Sequence, residues 1–130
     1  MAILDQGLQR GLIIQAVRRL CEQQGVGMMI AQKGDFERGA IAVVAYDHNS
    51  ENPYGVSFAA TQAQLWVQTR NSEGDLDWYC PLGDSPQSSL DVSDYLQRAA
   101  KRDQDLWILE FDAPIVQNPF QFWLKQAFGD

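Results

Sequence analysis

The chain has 130 residues, 45% hydrophobic and 21% charged, a balance typical of one globular domain rather than of a disordered tail or a coiled coil. Its formal net charge of −7 argues against nucleic acid as a partner, because an acidic protein repels phosphate. One histidine and two cysteines cannot supply a standard four-ligand zinc site, and no apolar run is as long as a membrane span.

The first predicted element is an amphipathic helix over residues 8–24. Its apolar residues recur at the i, i+3, i+4, i+7 spacing of one helix face: Ile13, Ala16, Val17, Leu20 and Cys21. Gly25 suits the position after the last turn, where a positive φ is needed, so the helix is predicted to end there.

Two apolar strands are predicted next, over residues 26–32 and 40–46, and we expect them to pair as a hairpin. The second strand is apolar at every position, which is typical of a strand inside a sheet with both faces covered. The polar turn between them, residues 33–39, contains a glycine near its start and another at its end.

The middle of the chain is predicted to contribute a second hairpin. Residues 47–55 have the composition of a loop, and residues 56–61 alternate as a weak strand. Residues 64–69 and 76–80 alternate more clearly, and residues 70–75 between them carry the asparagine, serine and glycine of a turn. We therefore expect the strands over residues 64–69 and 76–80 to pair side by side in an antiparallel hairpin.

The C-terminal third is predicted to be a helix, a buried strand and a short helix. Residues 90–102 show helical spacing, and residues 106–111 form the most clearly buried strand of the chain. Asn118 suits a helix N-cap and Pro119 the first helical position. The residues that follow place three aromatic side chains on one face of this last helix.

These elements predict an α+β fold, with residues 1–130 forming a single domain. We expect an antiparallel or mixed sheet of about five strands, two main helices packed mainly on one face, and a short C-terminal helix. Residues 106–111 and 40–46 are predicted to be interior strands. The first ten residues do not have the pattern of a signal peptide, which favours a cytoplasmic protein with reduced thiols.

An ordered set of short motifs resembles a small bacterial family known as domain of unknown function 1491. The motifs occur at residues 11–19, 33–40, 72–78, 94–96 and 103–110. The resemblance covers a core of residues 8–112 and implies the same fold. It implies no activity, cofactor or site residue, because none is established for that family. Residues 113–130 are interpreted as an aromatic extension of this chain.

The 33–39 turn is the first candidate site. It brings Lys33, Asp35 and Arg38 onto one loop between two core strands, and its glycines allow a ligand to approach the backbone closely. Such a cluster suits an anionic small molecule. The alternative is a solvated turn in which Asp35 bonds to its own backbone.

The last helix is the second candidate site. Its apolar face consists of Phe120, Trp123, Leu124 and Phe128, and an aromatic face of this kind suits an interface with a protein partner or a homodimer. The alternative is that the helix folds back over the chain's own sheet. One lysine in this segment, Lys125, is too little basic charge to favour a membrane surface.

No catalytic set can be assembled from the remaining polar residues. A nuclease-type metal site would use Asp47, but the strand that should supply its other groups reads Gln-Thr-Arg at residues 68–70 and offers no carboxylate. Asp103 and Asp105, with Glu110 at the far end of the strand that follows them, are explained as well by turn capping and surface charge. The lone His48 has no evident partner.

The sequence therefore predicts no metal and no cofactor, and it favours a non-enzymatic interaction or accessory protein. The alternative function is a small-molecule-binding domain or a modest enzyme that uses the 33–39 turn.

Overall fold

The protein, as a computed structural model, is described over residues 8–47 and 62–129, which contain three helices and six strands. In chain order these are α1 (Arg10–Gln23), β1 (Gly27–Gln32), β2 (Ile41–Asp47), β3 (Gln62–Arg70), β4 (Leu76–Tyr79), β5 (Gln87–Ser88), α2 (Ser89–Arg102), β6 (Trp107–Asp112) and α3 (Pro119–Phe128). The α+β class, the mixed sheet and the three helices are as predicted. The weak strand predicted at residues 56–61 and the loop residue His48 lie outside the described residues.

The ends of the helices follow from local chemistry. The Ser88 hydroxyl accepts a hydrogen bond from the Leu90 N–H at 3.2 Å and so caps α2. The Asn118 side chain accepts from the Gln121 N–H at 3.1 Å and caps α3, with proline next to it as expected. Gly25, just after α1, has a φ of 72°, the left-handed conformation that glycine adopts without strain.

The strands lie in the order β1-β6-β2-β3-β4, and β5 pairs with β3. The predicted β3–β4 hairpin is confirmed, whereas the predicted hairpin of β1 with β2 is wrong because β6 lies between them. β6 is antiparallel to β1 and parallel to β2. Strand β6 has four buried residues and therefore gains more from an interior position than β1, which has none and lies at the edge.

Helices cover both faces of the sheet. The sequence predicted helices mainly on one face of the sheet. Helices α1 and α3 do share one face, but α2 packs on the opposite face. The buried side chains under α1 and α3 include Ile41, Val43, Trp107, Leu109 and Phe111. Those under α2 include Ala42, Val44, Leu65, Leu106 and Ile108. Successive side chains of a strand point to opposite faces, and helices cover both faces of the sheet at β2. This explains why each of the first five residues of β2 is apolar.

The last helix folds back over the chain's own sheet. Phe120 and Leu124 are fully buried, and the Phe120 ring meets the Trp78 ring edge to face with centroids 6.3 Å apart. Trp123 is half-buried, and Phe128 is 39% exposed. The aromatic face was predicted either to bind a partner or to fold back over the chain's own sheet. For Phe120 and Leu124, packing within the same chain is observed.

Replacing Leu124 tests this packing. The Leu124→Ala variant should lose about 3 kcal/mol of unfolding free energy, because it leaves a cavity in the core. The matched change Phe128→Ala, at the exposed end of the same helix, should cost less than about 1 kcal/mol. Urea denaturation at two protein concentrations measures both values. A loss for Leu124→Ala that disappears on dilution would mean that α3 is held by another chain.

Candidate functional site

The 33–39 turn is fixed to the start of β6. The Asp35 N–H donates to the Asp105 carbonyl at 3.0 Å, and the Trp107 indole N–H donates to the Asp35 carbonyl at 2.8 Å. A Cβ on Gly34 or Gly39 would collide with the Asp105 carbonyl oxygen. The two glycines are therefore required by the close approach of two backbone segments.

The three side chains predicted to bind a ligand point outward from this turn. Lys33, Asp35 and Arg38 are all exposed. The Asp35 carboxylate accepts the Arg38 backbone N–H at 2.9 Å, the local bond expected of a simple turn. The opposite side of the turn meets α1, where the Gly11 N–H donates to the Phe36 carbonyl at 2.8 Å. Binding of an anion by these side chains stays a prediction, and the observed geometry accounts for the turn structurally.

The sheet face that carries α2 is covered unevenly. Within the described residues, α2 lies closest to β3 and β5, whereas β1, at the other end of the sheet, has a helix only on its opposite face, where α1 packs. The surface beside α2 that no described helix covers, which we call the ledge, belongs to β1, β6 and the end of β2. Its residues are Gly27, Met29, Ala31, Gln32, Tyr46, Glu110 and Asp112.

Two adjoining depressions lie on the ledge, and Tyr46 and Glu110 line both of them. Their volumes are about 490 Å³ and about 200 Å³. The first reaches Ser89 at the start of α2, and the second reaches Ala100 near its end. At about 1.5 Å per residue, the helix wall between these two residues is about 16 Å long. The ledge is therefore an elongated surface that runs along the helix.

A hydrogen-bonded tyrosine and glutamate lie at the centre of the ledge. The Tyr46 hydroxyl and the Glu110 carboxylate are 3.2 Å apart, with the hydroxyl as donor. Burial raises the pKa of Tyr46 to about 12, with smaller contributions from the negative charge of Glu110 and the hydrogen bond to it. The phenol therefore stays neutral at physiological pH and keeps donating to the carboxylate. A carboxylate has acceptor positions beyond the one that this bond uses.

A second carboxylate lies on the same face of β6. Asp112 is two residues from Glu110 along the strand, opposite Gly27 of β1, and a Cβ on that glycine would lie 3.2 Å from an Asp112 carboxylate oxygen. Met29 is paired with Glu110 in the same register. None of the described residues that line the two depressions is a lysine or an arginine. The ledge thus combines apolar contacts with acceptors for a cationic group.

Sequence reasoning did not identify the ledge. It interpreted Glu110 as a surface charge at the end of a strand, although an ionisable residue inside an otherwise apolar buried strand was the available signal. Tyr46 gave no such signal, because a tyrosine at the end of an apolar strand is common. Their proximity depends on the parallel pairing of β2 with β6, which the sequence did not reveal.

The other ionisable groups offer little chemistry. Cys21 and Cys80 are free thiols. Burial raises the pKa of Cys21 to about 11. Burial is also the main reason why the pKa of Cys80 is raised. Thiols of raised pKa are poor nucleophiles at neutral pH.

The described residues contain no group of three or more His, Cys, Asp or Glu side chains arranged to hold a metal ion. Across the same residues, every helix is too short or too polar to cross a bilayer.

Comparison with known proteins identifies one family. Residues 8–121 match the model of a family described as protein of unknown function (DUF1491). This match runs beyond residue 112, where the sequence resemblance ended, and includes the start of α3. No curated protein matches the chain.

Solved structures of proteins from Caulobacter crescentus and A. tumefaciens are similar to this chain. A crystal structure of a DUF1491 family protein from Caulobacter crescentus CB15 has a TM-score of 0.64 and 25% identity, over 86% of this chain and 97% of that one. An NMR structure of a DUF1491 family protein from the same organism has a TM-score of 0.66 and 26% identity, over 87% and 92%. The solution structure of protein Atu0922 from A. tumefaciens has a TM-score of 0.62 and 16% identity, over 87% and 92%.

A glycine substitution tests the structural role of the 33–39 turn. Gly39→Ala should lower the unfolding free energy by about 3 kcal/mol, because the added Cβ forces the turn away from β6. Gly25→Ala is the matched control: it has open space around the new Cβ and should cost only about 1 kcal/mol of backbone strain. Thermal or urea unfolding compares the two variants, and equal losses would contradict this role.

The Tyr46 pKa reports on the ledge. In Glu110→Gln it should fall below about 12 yet stay above 10, because the charge is removed while burial, the larger cause, remains. The difference in ultraviolet phenolate absorbance between each protein and its Tyr46→Phe partner isolates this group. An unchanged pKa in Glu110→Gln would show that the pair does not form.

The raised pKa of Tyr46 also predicts how stability depends on pH. The free energy of unfolding of the wild type should decline as pH rises from 10 to about 12, because the tyrosine ionises first in the unfolded chain. Tyr46→Phe should reduce that decline.

Proposed function

Because the chain belongs to the DUF1491 family, whose function is unknown, we propose from its geometry that it is a non-enzymatic interaction protein whose ledge binds a segment of a partner protein. The segment carries at least one basic side chain, which donates to Glu110. The observation that carries this proposal is the position of the Tyr46–Glu110 pair at the centre of an elongated, partly apolar surface.

The shape of the ledge supports a chain-like ligand. Small-molecule sites are usually enclosed cavities that bury most of the ligand, whereas the part of the chain that the structure describes gives the ledge no wall on the β1 side. Its length of about 16 Å corresponds to about five residues of extended chain at about 3.3 Å each. A peptide segment therefore matches the ledge better than a compact metabolite does.

The charge of the ledge supports a basic ligand. Glu110 and Asp112 are its only charged side chains among the described lining residues, and the whole chain has a formal charge of −7. A lysine or arginine can lay its aliphatic stem on Met29 while its charged end reaches Glu110. The acidic field also increases the rate at which a basic partner is captured.

Two other surfaces have less support. The aromatic face of α3 uses Phe120 and Leu124 inside the chain's own core, which leaves Trp123 and Phe128 as its accessible aromatic residues. An anionic ligand or a modest enzymatic activity at the 33–39 turn would depend on three solvated side chains. We also propose a cytoplasmic location, where the two free thiols would stay reduced.

Binding of defined peptides tests the proposal. The probes are two hexapeptides, one of alternating valine and lysine and one of alternating valine and glutamate, titrated into isotopically labelled protein. The lysine peptide should shift the NMR signals of β1, β6 and α2, and the glutamate peptide should not. In Glu110→Gln, its affinity should fall about tenfold, the value of one charge-assisted hydrogen bond.

The control is Glu73→Gln, in the exposed turn between β3 and β4, which removes the same charge far from the ledge. It should leave the affinity within about twofold, since remote exposed charges are screened by salt. Equal losses in both variants would reduce the effect to net charge, and shifts confined to other surfaces would remove the ledge as the binding site.

A further inference from the structure

We propose that two copies of this chain pair through their β1 strands, antiparallel, and that the second copy closes the open side of the ledge. The proposed function supplies the ligand for this closed site, but the pairing itself rests on separate observations about β1.

Among the described strands, β1 is an edge strand without a charged residue or a proline. Within the described residues it pairs only with β6, so backbone N–H and C=O groups on its outer side face away from the sheet. Native edge strands usually carry a charge or a proline that prevents further pairing, and Gly27–Gln32 contains neither. The opposite edge, β4, is only four residues long and includes Asp77. The difference between the two edges indicates that β1 is suited to pairing.

The β1 edge is complementary to itself. Opposite residues of an antiparallel pair share a sheet face, so a two-fold axis at Met29 places Met28 against Ile30 of the second copy. Both of these side chains already pack towards α1. Met29, which is 61% exposed on the ledge, would meet its own counterpart. The irregularity between Ile30 and Gln32 limits the regular part of β1 to residues 27–30.

Opposite charges lie at the same ends of this pairing. The Asp112 carboxylate lies against Gly27, at one end of β1, and the exposed Lys33 follows the other end. In an antiparallel pair, Lys33 of the second copy therefore comes to the end where Asp112 lies, and symmetry repeats this arrangement at the other end. Attraction between these opposite charges offsets part of the repulsion between two chains that each carry a formal charge of −7.

The pairing completes the ledge. The described residues of one copy provide a wall, α2, and a floor that ends at β1. Two copies give a trough with an α2 wall on each side and the strands β6-β1-β1-β6 as its floor. With neighbouring strands about 4.8 Å apart, the outer strands of this floor are about 14 Å apart, which leaves room for a peptide segment between the walls.

The molar mass of the purified chain, measured by light scattering across a hundredfold range of concentration, tests this pairing. In buffer of about 0.15 M salt, wild type should shift from monomer to dimer. Met29→Lys should remain monomeric, because it puts like charges opposite each other at the two-fold axis. The control is Leu12→Lys, a side chain of similar exposure, 52%, on α1, which should dimerise as wild type does.

Oxidation of Met29→Cys gives a second measurement. Two cysteines at the proposed axis lie close enough to form a disulfide-linked dimer, whereas Leu12→Cys should give no more linked dimer than wild type. A wild-type chain that stays monomeric, or a Met29→Lys variant that dimerises normally, would overturn the pairing. These measurements use no peptide, so they can fail while the peptide test succeeds, and the reverse also holds.

Discussion

Strand β6 needs apolar cover on both faces, and this requirement governs the rest of the structure. Trp107, Leu109 and Phe111 pack under α1 and α3, while Ile108 packs under α2. Only an interior position in the sheet, with helices on both sides, buries all of these side chains. The chain provides that position by placing β6 between β1 and β2, which makes the β2–β6 pairing parallel and leaves β1 at the edge.

The position of β6 also explains the 33–39 turn. Since β1 and β2 lie on either side of β6, the chain that joins them has to cross the start of that strand. The crossing brings Gly34 and Gly39 against the Asp105 carbonyl and lets Trp107 bond to the Asp35 carbonyl. The glycines and the charged residues of this turn therefore have different roles. The glycines allow the two backbone segments to cross closely, whereas the charged side chains face water.

The ledge results from the unequal cover of the two faces. If a helix covered Glu110, its carboxylate would lose its hydration, at a cost that one hydrogen bond from Tyr46 would not offset. Because α2 lies towards β3 instead, the carboxylate stays half-buried and available. The same arrangement leaves Met29 uncovered on an edge strand. Apolar and acidic surfaces therefore adjoin at the place where the sheet can accept another chain.

The sequence by itself determined the elements that depend on local periodicity and capping. The three helices, the β3–β4 hairpin, the interior character of residues 40–46 and 106–111, and the helix start at Asn118 all follow from side chains close together in the chain. The mixed α+β class follows from their order.

Tertiary structure alone decided which strands became neighbours and which faces the helices covered. The insertion of β6 separates residues 32 and 41, whose closeness in sequence had predicted a hairpin, and joins Tyr46 to Glu110 across 64 positions. Hydrophobic burial is not directional, so an apolar pattern shows that a strand will be covered without showing by what. The ledge exists only because of those distant choices: Glu110 inside an apolar strand could mark a site, but no local pattern places Tyr46 beside it.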